Sequence, residues 1–186
     1  MPVYNDTRLL FGDYDTRAMI SEGFRDAIKE RHIEFDIVFG VATAGISPAT
    51  TLADSLKMPL GYVRGERKDH GMGKRIEGPD PGGKRALLIE ELISTGRSSA
   101  KAIAALRQAG ARANHCLSIF NYDFDISQRI FEGSEPFDDD MKLEAPCSTI
   151  SLVYWDTLIE AAAEMDYVSG TQIELLRKWK KSPFNE

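Results

Sequence analysis

Two adjacent carboxylates, Glu90 and Glu91, end the apolar run of "ALLIEELISTGRSS", and Thr95, Gly96, Arg97 and Ser98 follow shortly after. Ionised carboxylates accept hydrogen bonds and hold a magnesium ion through its waters, which suits them to vicinal hydroxyls. A small polar loop that opens a helix presents unpaired backbone N–H groups at a positive dipole end, and the hydroxyls of Thr95, Ser98 and Ser99 add donors. Such a loop cradles a phosphate. A diol site beside a phosphate site describes a ribose 5-phosphate. The same residues also fit a plainer arrangement, in which the glutamates end a strand and Ser94 or Thr95 caps a helix.

Such a site needs strands that end, and helices that begin, along one edge. Residues 15–30 place Ala18, Ile20, Phe24, Ala27 and Ile28 near helical spacing behind Asp15, which can cap them. A buried strand is expected over Phe35–Val41, then a small-residue turn and a helix to about Leu56. Further strands are expected over Leu60–Arg64 and Arg85–Glu90, a helix over about 97–109 stopped by Gly110, and a strand in "HCLSIFNY". A helix near 124–133, a strand near 147–151 and helices near 154–165 and 169–180 follow. Strands alternating with helices imply an α/β fold with a mostly parallel central sheet flanked by helices on both faces. The polar stretch 65–83 far exceeds an ordinary connection of roughly 4 to 6 residues, so it is expected to be a long flexible loop with a function.

Composition narrows the class. A chain of 186 residues, 42% hydrophobic and 28% charged, is sized for one domain spanning 1–186. Its net charge of -6 argues against broad capture of nucleic acid, which needs a basic face. Cys116 and Cys147 show no CxxC or His spacing, so buried reduced thiols are expected rather than a metal site. The sequence shows no leader-like start and no apolar run near the roughly 18 residues of a membrane span, so a cytoplasmic protein is expected.

The opening motif resembles the phosphoribosyl pyrophosphate (PRPP) signature of type I phosphoribosyltransferases. A second motif, "YVRGERKDHGMGKRIEG" from Tyr62 to Gly78, resembles the catalytic loop of orotate phosphoribosyltransferases, and Lys-Asp-His-Gly followed by Ile-Glu-Gly is a specific match. The resemblance runs from "PVYNDTR" to "LLRKWKKSPF", nearly the whole chain. It implies the type I phosphoribosyltransferase fold and transfer of the 5-phosphoribosyl group from PRPP to orotate, giving orotidine 5'-monophosphate and pyrophosphate on the route to UMP. It also implies Mg2+ as cofactor and a homodimer with shared active sites.

Position by position, the resemblance assigns Glu90 and Glu91 to the ribose hydroxyls and to magnesium, through water. Thr95, Gly96, Arg97 and Ser98 fall to the 5-phosphate, and Ala42, Thr43, Ala44 and Gly45 to the pyrophosphate. Arg64, Lys68 and His70 match the catalytic cations around that pyrophosphate, with Lys68 and His70 reaching into the neighbouring subunit. Ser94 falls where the family contacts the base, and Tyr4 is placed to stack there.

The sequence departs from the family at named places. Glu91 stands where Asp is usual, moving a carboxylate by more than about 1 Å. Gly65 stands where a second basic residue is common, and "SEPFDDDMKLEAP" looks like a surface insertion. The chain starts at the Pro-x-Tyr segment, without the family's preceding lysine and Ser-Gly pair. These departures keep two other readings open: a non-catalytic relative that binds PRPP or a nucleotide, and a phosphoribosyltransferase of altered base specificity.

Overall fold

In the computed structural model, which describes residues 5–65, 75–181 and 183, six strands form one sheet in the order β3-β2-β1-β4-β5-β6. The strands are β1 (Ile37–Val41), β2 (Leu60–Val63), β3 (Ile76–Glu77), β4 (Arg85–Ile93), β5 (Arg112–Asn121) and β6 (Ser148–Tyr154). All neighbours run parallel except β3, which is antiparallel to β2.

The helices are α1 (Tyr14–Glu30), α2 (Ile46–Leu56), α3 (Arg97–Gln108), α4 (Asp125–Glu132), α5 (Trp155–Glu164) and α6 (Gly170–Lys181). A 3-10 helix, Thr7–Gly12, precedes them. α1 is capped by the Asp13 carboxylate, which accepts from the Thr16 backbone N–H at 2.8 Å; Asp15 lies in the first turn, so the cap sits two residues before the one read from the sequence.

Period-two alternation sorts the sheet residues. Ile37, Phe39, Val41, Leu88 and Cys116 pack beneath Ile103 and Leu106 of α3. Val38, Leu87, Ile89 and Leu117 face the other way, against Phe24 of α1 and Leu52 of α2. The mostly parallel sheet flanked by helices on both faces is therefore as expected from the alternation of elements. A third cluster gathers Phe120, Tyr122, Phe124 and Trp155 with Trp179, whose ring centroid is 5.2 Å from that of Trp155. Cys116 and Cys147 are buried free thiols, and burial pushes that of Cys147 up to about 12.

Two boundaries differ from the sequence reading. The stretch 65–83 contains β3, a two-residue edge strand too short to leave a periodic trace. It is seated where Gly61 and Gly78 meet: a Cβ on Gly78, whose φ is +111°, would lie 2.9 Å from the Gly61 Cα. β4 also runs three residues past Glu90, to Ile93, because Leu92 and Ile93 continue the ladder opposite Phe120 and Asn121.

At the amino edge of the sheet, Asp36 accepts from the Arg85 backbone N–H at 2.8 Å, from its Nε at 3.1 Å and from its Nη2 at 2.7 Å. The side-chain bonds, then the backbone bond, hold this carboxyl down to about 2, below its ordinary 3.8. A depressed folded-state pKa contributes stability that is full above the unfolded value and is lost as pH falls through about 2. Asp36→Asn is accordingly expected to lower the thermal midpoint at neutral pH. It should also flatten the loss of stability between pH 4 and 2, as thermal denaturation at stepped pH would read out.

Candidate active site

β1 and β2 end beside Glu90 of β4, which runs on to Ile93. Val41 pairs with Val63, Gly40 with Ile89 and Glu90 with Ser118, so the carboxyl ends of β2, β1 and β4 lie at one edge of the sheet. Open parallel sheets bind ligands beyond this edge. Arg64 leaves β2 here, Ala42–Gly45 leave β1, and Ser94–Ser98 leave β4; α2 and α3 begin from the last two segments. Two helix amino termini, each with unpaired first-turn N–H groups and positive dipole ends, thus start at one edge of the sheet.

The turn after β1 is held tightly. The peptide between Ala42 and Thr43 is cis, and the Gly45 N–H donates to the Val41 carbonyl at 2.9 Å. A Cβ on Gly45 would lie 2.7 Å from the Ile89 carbonyl oxygen and 2.8 Å from that of Val41, so only glycine brings the start of α2 this close to both strands.

The two glutamates stand back to back rather than side by side. Glu90 points to the α3 face, 6% exposed, and accepts from Ser99 Oγ at 3.0 Å and Ser98 Oγ at 3.5 Å. Its Oε1 also accepts the Glu91 backbone N–H at 3.0 Å. Burial pushes its carboxyl up to about 7 against the opposing pull of these hydrogen bonds. Glu91 points to the opposite face, half-buried, and accepts a hydrogen bond from Thr7 Oγ1. The alternation of a strand forces this split: neighbours in sequence take opposite faces. Glu90 is thus enclosed beneath α3, while Glu91 stays half-buried on the other face.

The loop Ser94–Gly96 turns β4 into α3. Gly96 has φ +78°, and a Cβ there would lie 2.8 Å from Phe131 Cε2 of α4. The left-handed turn and the aromatic ring beneath it both require glycine. Ala100 N–H donates to the Gly96 carbonyl at 2.9 Å, so the N–H groups of Arg97, Ser98 and Ser99 precede the first closed turn of the helix. Arg97 and Ser98 are exposed, and Ser94 and Thr95 half-buried. A helix start with open N–H groups of this kind suits an anion.

Arg64 reaches toward β3, with Nη1 3.7 Å from Glu77 Oε1, and its backbone N–H donates to the Arg75 carbonyl at 2.8 Å. Lys68, His70 and Tyr4 lie outside the described residues. Two contacts escape a reading of motifs alone. Thr7 belongs to "PVYNDTR", whose resemblance to the family was its only signal, and Glu77 sits in a stretch that reads as loop.

Residues 15–123 match a phosphoribosyl transferase domain. The orotate phosphoribosyltransferase of Listeria monocytogenes serotype 4b is 39% identical over 184 residues, covering 99% of this chain and 83% of that protein. This chain belongs to the orotate phosphoribosyltransferase family. The orotate phosphoribosyltransferase of Coxiella burnetii is 38% identical over 98% of this chain and 82% of its own length. In structure, the orotate phosphoribosyltransferase from Aeropyrum pernix matches with a TM-score of 0.72 and 27% identity, over 89% of this chain and 85% of that one. Membership of the orotate phosphoribosyltransferase family agrees with the resemblance drawn from the two motifs. Among the described residues no helix is long and apolar enough to cross a membrane.

Proposed function

We propose that this chain transfers the 5-phosphoribosyl group of PRPP to orotate, forming orotidine 5'-monophosphate and pyrophosphate for pyrimidine synthesis. The observation that carries the reading is identity of 39% with an orotate phosphoribosyltransferase over 99% of the chain. The convergence of the β1, β2 and β4 ends on an anion-binding edge supports it.

In the reaction, the bond from sugar C1 to the pyrophosphate oxygen breaks, a bond from a ring nitrogen of orotate to C1 forms, and the proton of that nitrogen leaves to the departing pyrophosphate or to water. Positive charge builds on the sugar ring and negative charge on the leaving group. The backbone of Thr95–Ser98 and the start of α3 would bind the 5-phosphate, with hydroxyls of Thr95 and Ser98 as further donors. Ala42–Gly45 and the start of α2 would take the pyrophosphate, where small residues allow N–H groups close approach. Arg64, Lys68 and His70 would meet the charge of the departing pyrophosphate, and closure of the catalytic loop that carries Lys68 and His70 would exclude water. Arg64 exchanges Glu77 for the ligand in this scheme.

Glu91 would accept from the ribose hydroxyls. Glu90, buried and bonded to Ser98 and Ser99, would support the phosphate loop from below and reach the sugar only indirectly. Ser94 and Tyr4 would contact the base. Magnesium favours one or two carboxylates together with substrate phosphates and waters, and Glu91, partly exposed at the end of β4, fits that donor set through water better than buried Glu90. Bound there, the ion would neutralise part of the pyrophosphate charge. A cytoplasmic homodimer, each subunit lending Lys68 and His70 to its neighbour, completes the reading on the strength of the family resemblance.

Glu91→Ala tests the sugar contact. Loss of a charged acceptor is worth about 1.5–3 kcal/mol, so PRPP affinity measured calorimetrically with magnesium is expected to fall about 10- to 100-fold. Unchanged affinity would remove Glu91 from the site.

A further inference from the structure

We infer that Thr7 is a positioning residue for Glu91, matched to the length of glutamate at that place; the inference rests on the proposed role of Glu91 in holding PRPP. Thr7 lies in the 3-10 helix before α1, 4% exposed, and its Oγ1 donates to Glu91 Oε1 across a long separation in sequence. A glutamate carries one more rotatable bond than the usual aspartate, so its carboxylate has more positions to visit. A buried hydroxyl bonded to one oxygen restricts that freedom and leaves Oε2 for a ligand, the way an outer-layer partner orients a group that binds.

The support for Thr7 is itself anchored. Phe11, in the same 3-10 helix, packs on the cluster of α1, α2 and the sheet. The Phe11 carbonyl accepts from Arg17 Nη1 of α1 at 2.5 Å. Thr7 is thus tied through its 3-10 helix to the body of the protein. Glu91 and Thr7 act as one unit in which a longer acid is met by a hydroxyl from the amino-terminal segment. Restoring the usual aspartate alone breaks the unit.

Calorimetric titration of magnesium-PRPP into the full chain tests this, with steady-state kinetics as the second readout. Thr7→Val is expected to weaken PRPP binding about tenfold, raising the KM for PRPP while kcat stays near wild type, because a ground-state contact is lost. Thr7→Ser, which keeps the hydroxyl, should bind as wild type does. In a Glu91→Ala background, Thr7→Val should add nothing, since the partner it positions is gone. Glu91→Asp should bind more weakly than wild type. Equal affinity of Thr7→Val and wild type overturns the inference. So does a Thr7→Val loss that persists in Glu91→Ala, or tighter binding by Glu91→Asp. Wild-type protein that binds no magnesium-PRPP overturns the proposed function itself and this inference with it.

Discussion

Lys68→Ala is expected to lower kcat about 10²- to 10³-fold while PRPP binds nearly as tightly as to wild type. The proposed chemistry dictates this split. In the proposed complex the turn after β1 and the start of α2 would contact the pyrophosphate, so one cation fewer would cost little in the ground state. As the C1–oxygen bond breaks, negative charge gathers on the leaving group, and a lysine brought over it by loop closure stabilises the transition state preferentially. An interaction made only there lowers kcat and kcat/KM together. Single-turnover rates beside calorimetric PRPP affinities check the split, and parallel losses in both would contradict the role given to the loop.

Gly45→Ala should be the most damaging of the small substitutions at the site. The added Cβ would lie 2.7 Å from the Ile89 carbonyl oxygen, 2.8 Å from the Val41 carbonyl oxygen and 2.9 Å from the Val41 nitrogen. All three are backbone atoms of β1 and β4, so no side chain can rotate away. The φ of −70° suits alanine, so the cost is steric alone. Overpacking of this kind costs about 1–3 kcal/mol, or a fall of roughly 2–4 °C in Tm per kcal/mol at this chain length. Relief of the clash moves the Ala42–Gly45 turn outward, so PRPP affinity should fall as well. Gly65→Ala is the control: among the described residues nothing lies within 4 Å of a Cβ there, and little change in stability is expected. Differential scanning calorimetry with a PRPP titration compares the two, and equal behaviour of the variants would refute the tight seat assigned to Gly45.

The strand, loop and helix around "ALLIEELISTGRSS" were legible because each signal is local: an apolar run, small polar residues, then an alanine-rich helical face. The alternation that builds the sheet was legible for the same reason. The back-to-back placement of Glu90 and Glu91 follows from strand periodicity once β4 is known to continue to Ile93, but a strand expected to stop at Glu90 hides it. What stopped that reading was a charged pair inside a ladder that β5 sustains through Phe120 and Asn121. β3 escaped because two residues carry no period, and its seat depends on Gly61 and Gly78 meeting from elements on either side of the 65–74 segment. The bond from Thr7 to Glu91 joins residues 84 positions apart, and no pattern within one segment encodes it.

Transfer of a phosphoribosyl group to orotate by this chain is directly measurable. Purified protein mixed with magnesium, orotate and PRPP, with orotate absorbance followed over time, tests it directly. Loss of absorbance matched by an equal quantity of pyrophosphate, and dependent on PRPP, is the predicted result. Constant absorbance at high protein concentration, with magnesium-PRPP demonstrably bound, would contradict it.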